Sequence, residues 1–202
     1  MRKRNKLVCG VGINDVDCIT QTYEQVDGRQ KVTSRCPFYR KWVSMLRRCY
    51  SVKYHRQFPT YSDCTVCDEW LTFSNFKTWM EAQDWEGKEL DKDLLTEGNK
   101  VYSPDNCVLV LKAINSFLLV SGASRGNYPL GVTYQKVCDK LQVMINNPFT
   151  KKLEYLGLFN LDQELEAHLT WKARKHQLAL QLADSEYVTD ERVAEALRTR
   201  YL

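Results

Sequence analysis

Asp91 and Asp93, separated by Lys92, are followed by Asn106 and Asn115 in one stretch, Leu90 to Asn115, reading LDKDLLTEGNKVYSPDNCVLVLKAIN. Two carboxylates and two carboxamides are oxygen donors, the ligand type that a hard divalent cation takes. Residue types alone leave a second reading open, a turn between two strands with Asn106 and Asn115 as caps. Proton transfer is harder to place. The only histidines are His55, His168 and His176, and a lysine of ordinary basicity stays protonated at neutral pH. Soft-metal chemistry has one foothold, Cys64-Thr-Val-Cys67. That is half a zinc site, with no second pair or histidine cluster at ligand spacing. Cys107 and Cys49 are the first further thiols to consider, but zinc is not expected.

The elements that must position these residues come from a chain of 202 residues with 44% apolar and 27% charged content, as in a soluble globular protein. Its length suits one large or two small domains. No apolar run reaches the length of a membrane span. The opening Met1-Arg-Lys-Arg-Asn-Lys6 lacks the apolar core of a signal peptide, so a cytoplasmic protein with eight reduced cysteines is expected. Charge is unevenly spread. Residues 1–60 carry 13 Lys/Arg against 4 Asp/Glu, and residues 61–100 carry 4 against 10. A basic third beside an acidic middle suits a protein that grips phosphates and also holds a cation.

In chain order, Asp27-Gly28 reads as a hairpin turn. Pro37 introduces a helix over Phe38 to Cys49, with Trp42, Met45, Leu46 and Cys49 at helical spacing and Arg47 and Arg48 free to meet phosphate. Ser51 to Ser62 is polar and aromatic, with Pro59 breaking any helix. A second helix covers about Phe73 to Gln83. Residues 121–129 have linker composition. Three strands follow over 130–135, 140–146 and 152–159. In the second, Leu141, Val143 and Ile145 alternate with polar residues, and in the third Leu153 and Tyr155 do the same, marking a sheet with one buried face. A helix from Asn160 to about Leu182 carries Leu165, His168, Leu169, Ala173, His176 and Leu180. Both histidines read as packing or surface residues. Thr189 reads as the cap of a last helix reaching Tyr201.

The order YRKW-x2-M-x2-RCY, CDEWLTFSNFKTWM, LDKD, YSPDNCVLV, IN is similar to phage-encoded HNH endonucleases, many of which carry a plant Apetala-type DNA-binding domain. The run GVTYQK…KLQVMI…KLEYLGLFNLDQELEAHLTWKARK resembles that second domain. The resemblance covers about Val8 to Leu182. It implies an α+β protein with an HNH-like ββα-metal core in residues 1–120. After the 121–129 linker, an Apetala-like three-stranded antiparallel sheet backed by a helix follows in 130–183, and a C-terminal helix in 184–202. It implies a site built from Asp91, Lys92, Asp93, Asn106 and Asn115, in which Asp91 or Asp93 with Asn115 holds Mg²⁺ or Mn²⁺ and Asn106 fixes the loop. Lys92 stands where the family has its histidine base. Double-stranded DNA is the implied partner, met by Arg47, Arg48, Arg125, Tyr134, Lys136, Lys140, Gln142, Asn146, Lys151 and Lys152. The sheet lacks the arginines of the plant members.

The resulting expectation is a metal-dependent DNA endonuclease of the mobile, homing-like type. Lys92 supports an alternative, a catalytically decayed DNA-binding protein used in regulation or against host defence. A protein that inhibits a host enzyme is the third reading.

Overall fold

The computed structural model of the chain describes residues 7–17, 19–118 and 127–202. Most of the 121–129 linker and Arg125 therefore lie outside the described residues. Helices and small sheets are mixed along the chain, an α+β fold. The chain divides into two compact units, 1–109 and 110–202. Among the described residues no helix is long and apolar enough to cross a membrane.

In the first unit, strands β1 (Gln21–Val26) and β2 (Arg29–Arg35) form an antiparallel hairpin around Asp27-Gly28. Both turn residues have positive φ, 50° and 74°, as a tight turn of this hand requires. Helix α1 (Pro37–Tyr50) starts on Pro37, whose missing N–H costs nothing at a first helical position. Trp42, Met45, Leu46 and Cys49 form its buried stripe, as their spacing predicts. A short helix α2 (Val52–Gln57) follows, where the sequence reads as irregular. Ser51 explains it, because its hydroxyl caps the first turn by accepting from Tyr54 N–H at 3.3 Å.

Helix α3 (Phe73–Glu81) buries Phe73, Phe76 and Met80 against this stripe. Its N-terminus is capped from far along the chain. Asp15 accepts from Ser74 N–H at 2.9 Å and from the Ser74 hydroxyl at 2.5 Å. Trp42 Nε1 donates to the Trp70 carbonyl at 2.6 Å, so the largest core side chain keeps its polar atom satisfied. Strands β3 (Thr65–Val66) and β5 (Val101–Tyr102) pair in parallel. Strand β4 (Lys88–Asp91) pairs with β6 (Val108–Leu111), within which the boundary between the units falls.

The second unit begins with the end of β6, which runs directly into helix α4 (Lys112–Leu118). Its sheet has the antiparallel order β7 (Val132–Gln135), β8 (Lys140–Asn146), β9 (Leu153–Phe159). Leu141, Val143 and Ile145 of β8 are buried, as their alternation predicts, and face helix α5 (Glu164–Ala183). The turn before α5 carries a capping box, in which each of Asn160 and Gln163 accepts through its side chain from the backbone N–H of the other, Gln163 Oε1 from Asn160 N–H at 2.9 Å. Gly131, at φ 80°, lies so close to Trp171 that a Cβ there would sit 2.0 Å from the indole, so only glycine fits. Helix α6 (Glu191–Thr199) packs on α5 and is capped by Asp190, which accepts from Arg192 N–H at 2.9 Å. The cap is thus one residue later than Thr189.

Two expectations about facing are corrected. The buried face of α5 is Ala167, Trp171, Lys175, Leu178, Ala179 and Leu182, whereas Leu165 and Leu169 are 71% and 52% exposed. On β9, Leu153 and Tyr155 are 55% and 58% exposed, not buried. The register explains this. Tyr155 lies opposite Met144 and Leu153 opposite Asn146, and a bulge then shifts Gly157 opposite Val143. The odd residues of β9 below the bulge therefore share the open face of the sheet.

Candidate functional site

The loop after β4 gathers Asp91, Lys92 and Asp93. Asp91 ends the strand, and its Oδ1 accepts from Asp93 N–H at 2.9 Å and from Leu94 N–H at 2.7 Å. The aspartate thereby closes its own turn, the local bonding that Asp favours after a strand. Burial, and then the nearby Asp93 carboxylate, raise the Asp91 carboxyl above its ordinary value. Lys92 turns inward and is buried. Its Nζ donates to Asp93 Oδ1 at 2.5 Å and to the Asn99 carbonyl at 2.6 Å. An ammonium so used ties the loop together.

The residue that pins the loop is Asn99, which sequence reasoning passes over. Its Nδ2 donates to the carbonyls of Lys92 and Val101 at 2.7 and 2.8 Å, and its Oδ1 accepts from Val101 N–H at 3.2 Å. The available signal was its place after Gly98 in the turn that returns the chain toward β5. Asn106, expected to fix the loop, bonds locally through its backbone N–H to Ser103 Oγ at 3.3 Å. Asn115 lies on α4, in the second unit.

These donors bear on Mg²⁺ unequally. Asp91 fits a hard cation, being a half-buried carboxylate that already has a like charge for a neighbour. Asp93 does not, since the Lys92 ammonium holds its Oδ1. Among the described residues no group of three or more His, Cys, Asp or Glu side chains is arranged to hold a metal. Mg²⁺ commonly keeps several waters beside one or two carboxylates, so a single aspartate is enough of a protein carboxylate share. The thiols of Cys49, Cys64, Cys67 and Cys107 are all raised by burial, those of Cys49 and Cys107 to about 12. They are core residues, with Cys49 and Cys107 contributing to the packing around Trp42 and Tyr102.

A cleft of about 440 Å³ runs beside β4, lined by Arg40, Lys41, Ser44 and Arg48 from α1 and by Lys88, Glu89 and Leu90. Arg48 is half-buried. Its guanidinium lies 3.5 Å from the Tyr102 hydroxyl and over the Tyr61 ring. Burial opposes its charge, but the neighbouring phenol groups, Tyr102 foremost, raise its pKa above the ordinary value. Lys41 donates to the Lys88 carbonyl, and burial followed by the charge of Arg40 lowers its pKa. Clustered cations that destabilise one another favour an anion between them. Arg47 is exposed and does not line this cleft.

In the second unit the open face of the sheet carries Lys140, Gln142, Met144 and Asn146 on β8, flanked by Thr133 and Gln135 and by Leu153, Tyr155 and Leu158. Gln135 Nε2 donates to Gln142 Oε1 at 2.7 Å, which orders part of that surface. Lys136, Lys151 and Lys152 stand exposed at its ends. Lys151 and Asn146 also line a groove of about 440 Å³ with Lys112, and no carboxylate lines it. Tyr134 is the exception. It lies opposite Leu141, on the helix side, and its hydroxyl donates to Asp139 at 2.7 Å. Comparison with protein-family models, with curated proteins and with solved structures finds no match for this chain.

Proposed function

We propose that the chain is a DNA endonuclease of the HNH type, binding duplex DNA through the open face of β7–β9 and through the cleft beside β4. The observation that carries this reading is Asp91. A half-buried carboxylate, fixed by two backbone N–H groups, ends a strand whose partner strand leads in the chain into the helix bearing Asn115. Strand, strand and helix in this order, with an acidic residue on the first strand and an amide on the helix, suit the ββα-metal core that the motifs resemble. Asp91 would hold Mg²⁺ or Mn²⁺, which would supply charge neutralisation at the leaving 3′ oxygen. Arg40, Lys41 and Arg48 would hold the phosphodiester, while Asn99 and Lys92 keep the Asp91 turn in shape.

One observation favours a second reading, the decayed DNA-binding protein. Lys92, which the resemblance puts in the histidine position, spends its ammonium on Asp93 and the Asn99 carbonyl, so on this reading the base that activates water has no replacement in this loop. Plasmid nicking separates the two. An active enzyme nicks with Mg²⁺ or Mn²⁺ and not with EDTA, and Asp91→Asn lowers the rate by at least about 100-fold, a loss of several kcal/mol of charge stabilisation. Nicking that survives EDTA and Asp91→Asn would sink the enzyme reading. Absence of nicking that Lys92→His restores, with a group that titrates near neutrality, identifies the decayed form.

A further inference from the structure

The β1–β2 hairpin has no core. All of β1 is exposed, and in β2 only Val32 is partly covered. An isolated two-stranded ribbon is marginal in water, and this one gains nothing from packing its faces. The cations of its strands outnumber the carboxylates, with Arg29, Lys31 and Arg35 of β2 opposite Val26, Glu24 and Gln21 of β1. A bulge at Thr33 divides the ribbon. Arg29 and Lys31 share one face with Val26 and Glu24, whereas Arg35, past the bulge, lies opposite Gln21 on the face of Tyr23 and Val32. At the bulge the Thr33 hydroxyl lies 3.1 Å from that of Thr22.

Cations continue onto the helix at the root of the ribbon. Arg35 lines a hollow of about 290 Å³ together with Arg40 and Arg47 of α1, and no carboxylate lines it. Arg47 is shared with a second hollow of about 280 Å³ that holds Lys53 and again has no carboxylate. From Arg29 to Arg35 an extended strand covers about 20 Å, and from Arg40 to Arg47 a helix covers about 10 Å. Cations distributed on that scale suit an extended polyanion and are too widely spaced for one small anion. A two-stranded ribbon is also one of the two protein elements that the major groove of B-form DNA admits.

We propose that the β1–β2 ribbon enters the major groove of duplex DNA, with the arginine hollow at its root holding the flanking phosphates. This rests on the DNA-binding reading above and adds a contact separate from the β7–β9 sheet. The test measures affinity for a mixed-sequence DNA duplex across a salt series. It uses wild type, a ribbon variant (Arg29→Gln, Arg35→Gln, Arg47→Gln) and a sheet variant (Lys136→Ala, Lys140→Ala). Each lost phosphate contact removes about 0.9 from the slope of log affinity against log salt, so loss of the Arg35 and Arg47 contacts removes up to about 1.8. Arg→Lys at the same three positions restores the slope, and the guanine N7 methylation protection expected with wild type disappears with Arg29→Gln alone. These residues are exposed, and a matched thermal melt confirms that the fold is kept. An unchanged slope in the ribbon variant, with loss in the sheet variant, overturns the ribbon contact and leaves the DNA reading standing. Wild type without affinity for DNA removes both. Guanine N7 left unprotected by wild type overturns groove entry.

Discussion

Each unit buries a lysine from the middle of its own chain segment, and the two are stabilised by opposite means. Lys92, in the first unit, has polar partners only, a carboxylate from Asp93 and the Asn99 carbonyl. Lys175, in the second, has one carbonyl, that of Phe117, and is otherwise surrounded by rings. Its Nζ lies 3.4 Å from the Phe117 ring centroid, 5.5 Å from that of Tyr201 and 5.7 Å from that of Trp171. The ring faces attract the cation through their quadrupoles, but no carboxylate balances it. Burial, and then the positive charge of Arg200, lower the Lys175 pKa to about 8. The comparison teaches that burial alone does not decide what a lysine costs. An ion pair in a polar loop can be integral to the turn, whereas an aromatic box leaves a charge that a rise in pH can remove.

The largest expected effect tests that difference directly. Lys175 has a folded pKa of about 8 against an ordinary 10.5, so between these values the unfolded chain binds more protons. Stability should therefore rise with pH across that window, by about 3 kcal/mol in all. Urea unfolding followed over a pH series should show this slope in wild type and lose most of it in Lys175→Met. A slope that survives the substitution would place the titrating group elsewhere. Next in size is Lys92→Met. It strips the Asn99 carbonyl and Asp93 of their donor and should lower stability by about 2 kcal/mol at neutral pH. If it proves neutral, the loop does not depend on the ammonium.

The smallest effect concerns a pair nearer the surface. Arg174 donates to Glu154 through Nε at 2.8 Å and Nη2 at 3.0 Å, and Asn147 donates to the same carboxylate. The Arg174 bond and then the Asn147 bond lower the Glu154 pKa to about 2. With about a quarter of each charged side chain exposed, solvent screening reduces the gain to about 1 kcal/mol. That gain is complete above the ordinary carboxyl value of 4.5 and lost as pH falls toward about 2. Glu154→Gln should remove it, which the difference between acid unfolding curves of the variant and wild type would measure.

How much was legible varies by element. Helix α1, the Asp27-Gly28 turn and strand β8 follow from local periodicity, because their buried positions repeat at the spacing of the element itself. Strand β9 and helix α5 were read on the wrong face for different reasons. On β9 the bulge before Gly157 changes which residues share a face, and periodicity carries no record of a bulge whose partner is another strand. On α5 the conspicuous Leu165 and Leu169 are exposed, while Ala167, Trp171 and Lys175 meet the rest of the unit. Leucines mark apolar surface, but the sheet chooses a stripe that lets small residues approach closely. At the candidate site, Asp91 and its neighbours stand out by type. Asn99 does not, because its role depends on carbonyls of Lys92 and Val101 brought within reach of one amide.

The sequence by itself determined the mixture of helices and strands, the core of α1, the three strands of the second unit and the concentration of positive charge in residues 1–60. Each rests on interactions between residues close in the chain, or on composition. Only the tertiary structure decided that the Lys92 ammonium is spent on a loop, that Asp15 caps α3, and that Leu153 and Tyr155 face outward. It also decided that Lys175 sits among Phe117, Trp171 and Tyr201. These depend on which distant donors, acceptors and rings meet, and no local spacing encodes that.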